Sequence, residues 1–231
     1  VGIVSQAYGR ADYREIVKTL IRNFAIALFV SLLIIILTPL ISFSIQYFFI
    51  TSTETQKLIN TYINVRVFSV PAELIIYILV GFYLGIQKTK ISSLLIITLS
   101  VLNIVFSSVL VLSFNLNVFG VALGTLLASY LTVVIFVLFS YNFIIKKFKI
   151  IPRFEKLIVK SKILKLLNIN LDIFIRTLVL TFSFLWVTYQ GSKFGEDYLA
   201  VNTILMQFIV LAAFFLDAYA FSTEGVVGFA I

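Results

Sequence analysis

Asp217 and Glu224 are two carboxylates in "LDAYAFSTEGVVG" (216–228), a stretch otherwise apolar or small. They are seven residues apart, which is two helical turns, so both project from one face. Arg66 and Glu73 repeat the spacing, with Pro71 between them. Asp172 and Arg176 are four apart with the acid first, the favourable order for a helical ion pair. Asn202 and Gln207 add uncharged polar groups nearby in the chain. These side chains bind, pair and exchange protons. The chain has no histidine and no cysteine, so it holds no Ser–His or Cys–His pair, no Cys/His zinc set and no disulfide. No enzyme and no bound cofactor are expected.

Composition says where those charges must sit. The chain of 231 residues is 61% hydrophobic and 12% charged, with a mean hydropathy of +1.11. A soluble domain sits nearer 45–50% apolar and about 25% charged. The expected class is therefore an all-α, polytopic transmembrane bundle. Six apolar runs are each long enough to cross a core of about 30 Å: 24–48, 60–86, 91–113, 118–144, 171–190 and 198–226. They read as helices because an open chain in lipid must satisfy its backbone internally.

Cations then orient the bundle. Six spans place Arg10, Arg14, Lys18, Arg22, Lys88, Lys90 and the eight cations of 146–165 on one side. The other side holds Lys57 and Lys193, while Arg66 and Arg176 fall within spans. The cation-rich side is cytoplasmic. Topology thus accounts for the net charge of +8, and no nucleic-acid partner is expected. The stretch 146–167 interleaves lysines with Phe154, Leu157, Ile158, Leu164 and Leu167. It reads as a segment lying on the headgroups or as a solvated connector.

A charge at mid-span costs about 2.5–3.5 kcal/mol on insertion scales, so it is normally paired or functional. Asp217 falls near the middle of the sixth span, and Glu224 lies two turns closer to the cytoplasm. A protonated carboxyl is tolerable there; an ionised one needs a cation, an arginine or water. Asp217 therefore reads as a carrier of H⁺ or Na⁺, or as half of a structural pair with Arg176 or a neighbouring polar residue. Asp172 and Arg176 read as a clamp at the cytoplasmic end, or as a cation tuning the acids of the next helix. Pro71 should break its helix and free a carbonyl. Arg66 and Glu73 then flank either a transporter-like broken helix or a simple kink with Arg66 snorkelling outward. Pro39 is a second kink candidate. Asn202 and Gln207 suit helix–helix hydrogen bonds.

The two ends of the chain resemble each other. "VGIVSQAY" (1–8) aligns without gaps with "EGVVGFAI" (224–231), matching Gly2 with Gly225, Val4 with Val227 and Ala7 with Ala230. Six spans lie between, so both copies point the same way. That is the pattern of parallel repeats related by an axis along the membrane normal. Both ends read as cut from a longer chain.

A family now comes into view. "TYINVRVFSVPAELIIYILVGFYLGIQKTK" (61–90) resembles the fourth helix of the multidrug and toxic compound extrusion (MATE) transporters of the DinF-like branch, through Tyr62, Arg66, Pro71, Ala72, Gly81, Gly85 and Gln87. Residues 171–228 resemble helices seven and eight, through Asp172, Arg176, Gln190, Gly191, Asn202, Gln207, Asp217 and Glu224. "SQAYGRADYRE" (5–15) is similar to the turn between helices two and three. Glu73 departs from the branch pattern, as do Ser222 and Thr223.

The resemblance implies part of a two-lobe, twelve-helix transporter. Residues 1–145 would be the remainder of the amino-terminal lobe, 146–170 a basic cytoplasmic linker, and 171–231 the start of the carboxy-terminal lobe. The function it implies is secondary active export of amphipathic or cationic organic compounds in exchange for H⁺ or Na⁺. Alternatives are a lipid-linked oligosaccharide flippase of the same superfamily and a membrane scaffold. The expected partners are a small organic substrate and the bilayer, with the protein acting as a monomer in a prokaryotic inner membrane.

Overall fold

The computed structural model describes residues 1–48, 53–150 and 160–230, and every regular element in them is helical. A short helix α1 (Gly2–Gly9) turns into the long α2 (Tyr13–Phe48). The turn is capped locally, since the Asp12 carboxylate accepts the Glu15 backbone N–H at 3.0 Å. Next come α3 (Thr53–Arg66), a 3₁₀ turn (Val67–Ser69) and α4 (Val70–Gly85). Gln87, with φ of +58°, reverses the chain into α5 (Thr89–Ser108), which runs into a π-helical turn (Val109–Ser113). Helix α6 (Asn117–Phe143) ends in a second π-helical turn (Ile144–Phe148). Helices α7 (Lys160–Lys193) and α8 (Glu196–Ala230) follow. They join at Gly195, whose φ of +107° suits a residue without Cβ.

Six stretches are long and apolar enough to span a bilayer: Tyr13–Leu40, Gln56–Gly85, Thr89–Ser113, Asn117–Phe148, Leu171–Gly191 and Ala200–Ala230. These are the six spans expected from hydropathy, with shifted boundaries, the largest shift at the start of the first. The first begins at Tyr13 rather than at 24. Arg14, Lys18 and Arg22 were assigned to a cytoplasmic linker but belong to α2. The helix carries Arg22 inside because its guanidinium meets the Glu15 carboxylate at 2.9 Å, seven residues back on the same face. The Arg22 side chain is only 4% exposed. Helix α2 also runs on past Pro39 to Phe48.

The chain forms two compact units, Val1–Phe154 with Glu224–Ile231, and Glu155–Thr223. In the first, α5 lies along α6, and α4 packs on α1, α2, α5 and α6. Its core gathers at the end where α1, α4 and α6 finish, around Val4, Ile16, Leu20, Phe82, Tyr83, Ile144 and Phe148. Tyr83 is fully buried, and its hydroxyl shares a 2.7 Å hydrogen bond with Ser140 of α6. Large side chains such as Phe29, Ile36, Ile104 and Leu112 remain exposed, as lipid-facing surfaces should. The second unit contains α7 and most of α8. Both helices present large apolar side chains outward, among them Phe174, Phe182, Phe208 and Phe214.

Candidate functional site

Pro71 sits in the first turn of α4, where its missing N–H is not needed. The break takes the form of the 3₁₀ turn Val67–Ser69 between two helices, not a bend inside one. Two consequences were expected from sequence in outline, and the structure gives both a partner. The Phe68 carbonyl accepts a 3.0 Å hydrogen bond from the Tyr130 hydroxyl of α6, so the loosened backbone is satisfied from the neighbouring helix. Arg66 turns to Glu73 across the break, and Arg66 Nη1 and Glu73 Oε1 form an ion pair. The same guanidinium donates to Ser69 Oγ. Ser69 lies 2.6 Å from the Arg66 carbonyl and 3.0 Å from Glu73 Oε1.

This cluster lies within the span Gln56–Gly85. Arg66 therefore does not snorkel outward, because an in-lipid cation gains more from a carboxylate two turns away than from a stretched side chain. The paired side chains keep 30% and 26% exposure, so the pair can be reached from outside the protein.

The acids and cations of the second unit behave differently. Asp172 and Arg176 are both exposed and make no ion pair among the described residues, which corrects the expected helical pair. An exposed i,i+4 pair gains only about 0.3–0.5 kcal/mol, too little to hold two flexible side chains together. Asp217 is exposed on α8, close to the middle of the span Ala200–Ala230, and has no charged partner among the described residues. Helix α8 is continuous through Glu224, so the two acids do share a face. Glu224 belongs to the first unit, where its Oε1 accepts the Gly2 backbone N–H at 2.8 Å.

Asn202 lies against Gly191, whose added Cβ would sit 3.2 Å from Asn202 Nδ2. Gln207 is the polar member of a shallow apolar groove of about 420 Å³ lined by Ile204, Phe208, Val210, Leu211 and Phe214. The described residues contain no cluster of acids able to hold a metal ion.

Sequence reasoning missed Ser69 and Tyr130. Ser69 carried a signal, standing three residues after Arg66 and four before Glu73, on their face of the helix. Tyr130 carried none, being 62 residues from the carbonyl it serves.

Comparison with known proteins decides the family. Residues 2–109 match the MatE family model, a stretch that runs from α1 through α5 and contains the Arg66–Glu73 cluster. The chain is 32% identical over 224 residues to the DNA damage-inducible protein F of Escherichia coli (strain K12), covering 96% of this chain and 48% of that protein. The chain belongs to the MatE family. Within that family it is DinF-like. Two Multidrug export protein MepA sequences are more distant. Those of Staphylococcus saprophyticus and Staphylococcus aureus (strain bovine RF122 / ET3-1) are 29% and 28% identical over 139 and 138 residues, in each case 59% of this chain and 30% of the relative. This MatE chain spans about half the length of the first of these relatives. No solved structure matches it.

Proposed function

We propose that the protein is a secondary active exporter, which moves amphipathic, cationic organic compounds across the membrane in exchange for H⁺ or Na⁺ by alternating access. MatE membership supports transport over catalysis, and the names of the staphylococcal relatives support multidrug export. In this reading the chain carries most of one six-helix lobe and the start of a second, joined by the basic stretch 146–170. The lysines of that stretch mark the cytoplasmic face of a prokaryotic inner membrane, and the working unit is a monomer.

The observation that carries the reading is Asp217, a carboxylate near mid-span with no partner among the described residues. Ionised in that place it costs about 2.5–3.5 kcal/mol. A group so placed is neutral when shielded and charged when water or a cation reaches it, and an antiporter needs that alternation. Arg66 and Glu73 form a second, already paired polar site in the other lobe. Asp172, Arg176, Asn202 and Gln207 extend the polar face of α7 and α8.

The test is Asp217→Asn in the full-length protein, with efflux of the lipophilic cation ethidium normalised to folded protein. Asparagine keeps the hydrogen-bonding shape and removes the titratable charge. Insertion should be unimpaired, and efflux should fall at least tenfold. Wild-type efflux with unchanged ion dependence would sink the coupling role. Loss of folded protein would instead point to a structural pair.

A further inference from the structure

Three helix ends meet on the cation-rich side of the first unit: the start of α2, the turn from α4 into α5, and the end of α6. A shared core joins them. Ile16 and Leu20 of α2, Ile86 at the end of α4, and Ile144 and Phe148 of the π-helical turn are buried in one cluster. Tyr13 stacks on Phe148 at 4.7 Å, with the ring planes 14° apart, and ties the first turn of α2 to the last turn of α6. Rings at helix ends suit the interface between membrane and water.

Burial of these apolar residues decides where the cations beside them go. Ile144 and Phe148 turn inward, so Lys147 is exposed, as is Lys149 just past the turn. Ile16 and Val17 turn inward on α2, leaving Arg14 exposed and Lys18 half-buried. At the α4–α5 turn Ile86 is buried, Lys88 half-buried and Lys90 exposed. None of these six cations has an ion pair among the described residues. The acids at the start of α2 are engaged elsewhere: Glu15 with Arg22, and Asp12 with the Glu15 backbone N–H. Sidedness alone would be served by cations anywhere along the linkers; here packing gathers them from three parts of the chain.

Like charges gathered in this way repel one another, so this end of the unit needs counter-charge. Lys147 indicates the direction from which it comes. Its Nζ lies 5.6 Å from the centre of the Phe143 ring, one turn back into the span. The ammonium is drawn towards the bilayer rather than out into water, to the level of the lipid phosphates. Cations near an anionic membrane surface are attracted to it, and basic pockets between helices on the cytoplasmic side hold anionic headgroups. We propose that the end formed by α2, the α4–α5 turn and α6 binds the headgroup of an anionic phospholipid of the phosphatidylglycerol kind, which holds the three helix ends together. Such a site requires only the membrane spans and does not depend on the exporter reading.

The test uses the full-length protein in neutral detergent micelles, with phosphatidylcholine or with the same mole fraction of phosphatidylglycerol. A ligand that binds only the folded state raises the thermal midpoint. Phosphatidylglycerol should raise it by about 5 °C over phosphatidylcholine, and added salt should shrink the difference. Lys88→Gln with Lys147→Gln should remove at least half of the shift. Lys160→Gln with Lys162→Gln is the control. It removes the same charge from the same side of the membrane, away from the three helix ends, and should leave the shift intact. Soluble glycerol phosphate at the same concentration should leave the midpoint unchanged.

An equal midpoint in the two lipids would overturn the site. So would an equal loss from both double variants, since that is the mark of a diffuse attraction to the whole basic surface. A full shift with glycerol phosphate would make this a site for free phosphate and would also overturn the proposal. If Lys88→Gln with Lys147→Gln fails to fold, acetylation of the wild-type lysines, read by mass spectrometry, decides. Phosphatidylglycerol should slow acetylation of Lys88, Lys90 and Lys147 at least threefold relative to phosphatidylcholine, and slow that of Lys160 and Lys162 less. Unchanged rates at the first three, or equal slowing at all five, would refute the proposal.

Discussion

The two units treat charge within the membrane in opposite ways. In Val1–Phe154, two in-span arginines each meet a glutamate seven residues away: Arg22 with Glu15 in α2, and Arg66 with Glu73 across the Pro71 break. In Glu155–Thr223, Asp172, Arg176 and Asp217 are exposed and have no ion pair among the described residues. A pair complete within one bundle contributes to holding that bundle together. A lone carboxylate contributes nothing locally and must be satisfied by something that comes and goes or by a residue outside its unit. The difference separates architecture from candidate chemistry, and four substitutions test it.

The largest effect is expected at the Arg66–Glu73 cluster. Glu73→Leu leaves a cation within a span with no acid to meet it, and should cost about 3 kcal/mol. The thermal midpoint of the detergent-solubilised protein should fall by on the order of 10 °C. Arg66→Met combined with Glu73→Leu should recover most of that loss, since it removes both charges. A wild-type midpoint for the single variant would show that the pair does not hold the break, and the contrast between the units would weaken. Tyr130→Phe should have a smaller effect. It removes only the hydrogen bond to the Phe68 carbonyl, worth about 1 kcal/mol, and should lower the midpoint by a few degrees. Asp172→Asn should have the smallest effect, below about 0.5 kcal/mol, because no pair is lost. A drop as large as that of Glu73→Leu would mean that Asp172 has a structural partner after all.

Sidedness gives an independent check on both units. Cysteine at Lys193 should label from outside the cell and cysteine at Lys90 only from the cytoplasm, since both positions are exposed. External labelling at Lys90 would invert the proposed orientation of both units.

The sequence was a good guide to the spans and a partial guide to the pairs. Arg66 and Glu73 were legible as one face of a helix because their separation is local. Glu15 and Arg22 have the same spacing, yet Arg22 falls before the first span that hydropathy predicts. Charge density at the start of α2 masked a helix that runs through it. The Asp172–Arg176 pair was expected from spacing alone, but spacing makes a contact available without supplying a reason to form it. Ser69 was within reach of the helical periodicity and went unread.

What the sequence determined by itself was the class and the number of crossings. These follow from hydropathy summed along the chain, and no fold is needed to evaluate them. The tertiary structure decided which side chains find partners. Tyr130 reaches a carbonyl 62 residues away, and Ser5 meets a helix end more than 200 residues away. Such contacts depend on how each helix is rotated about its axis and how closely its neighbour approaches, and both are set by packing rather than by the order of residues in any one span.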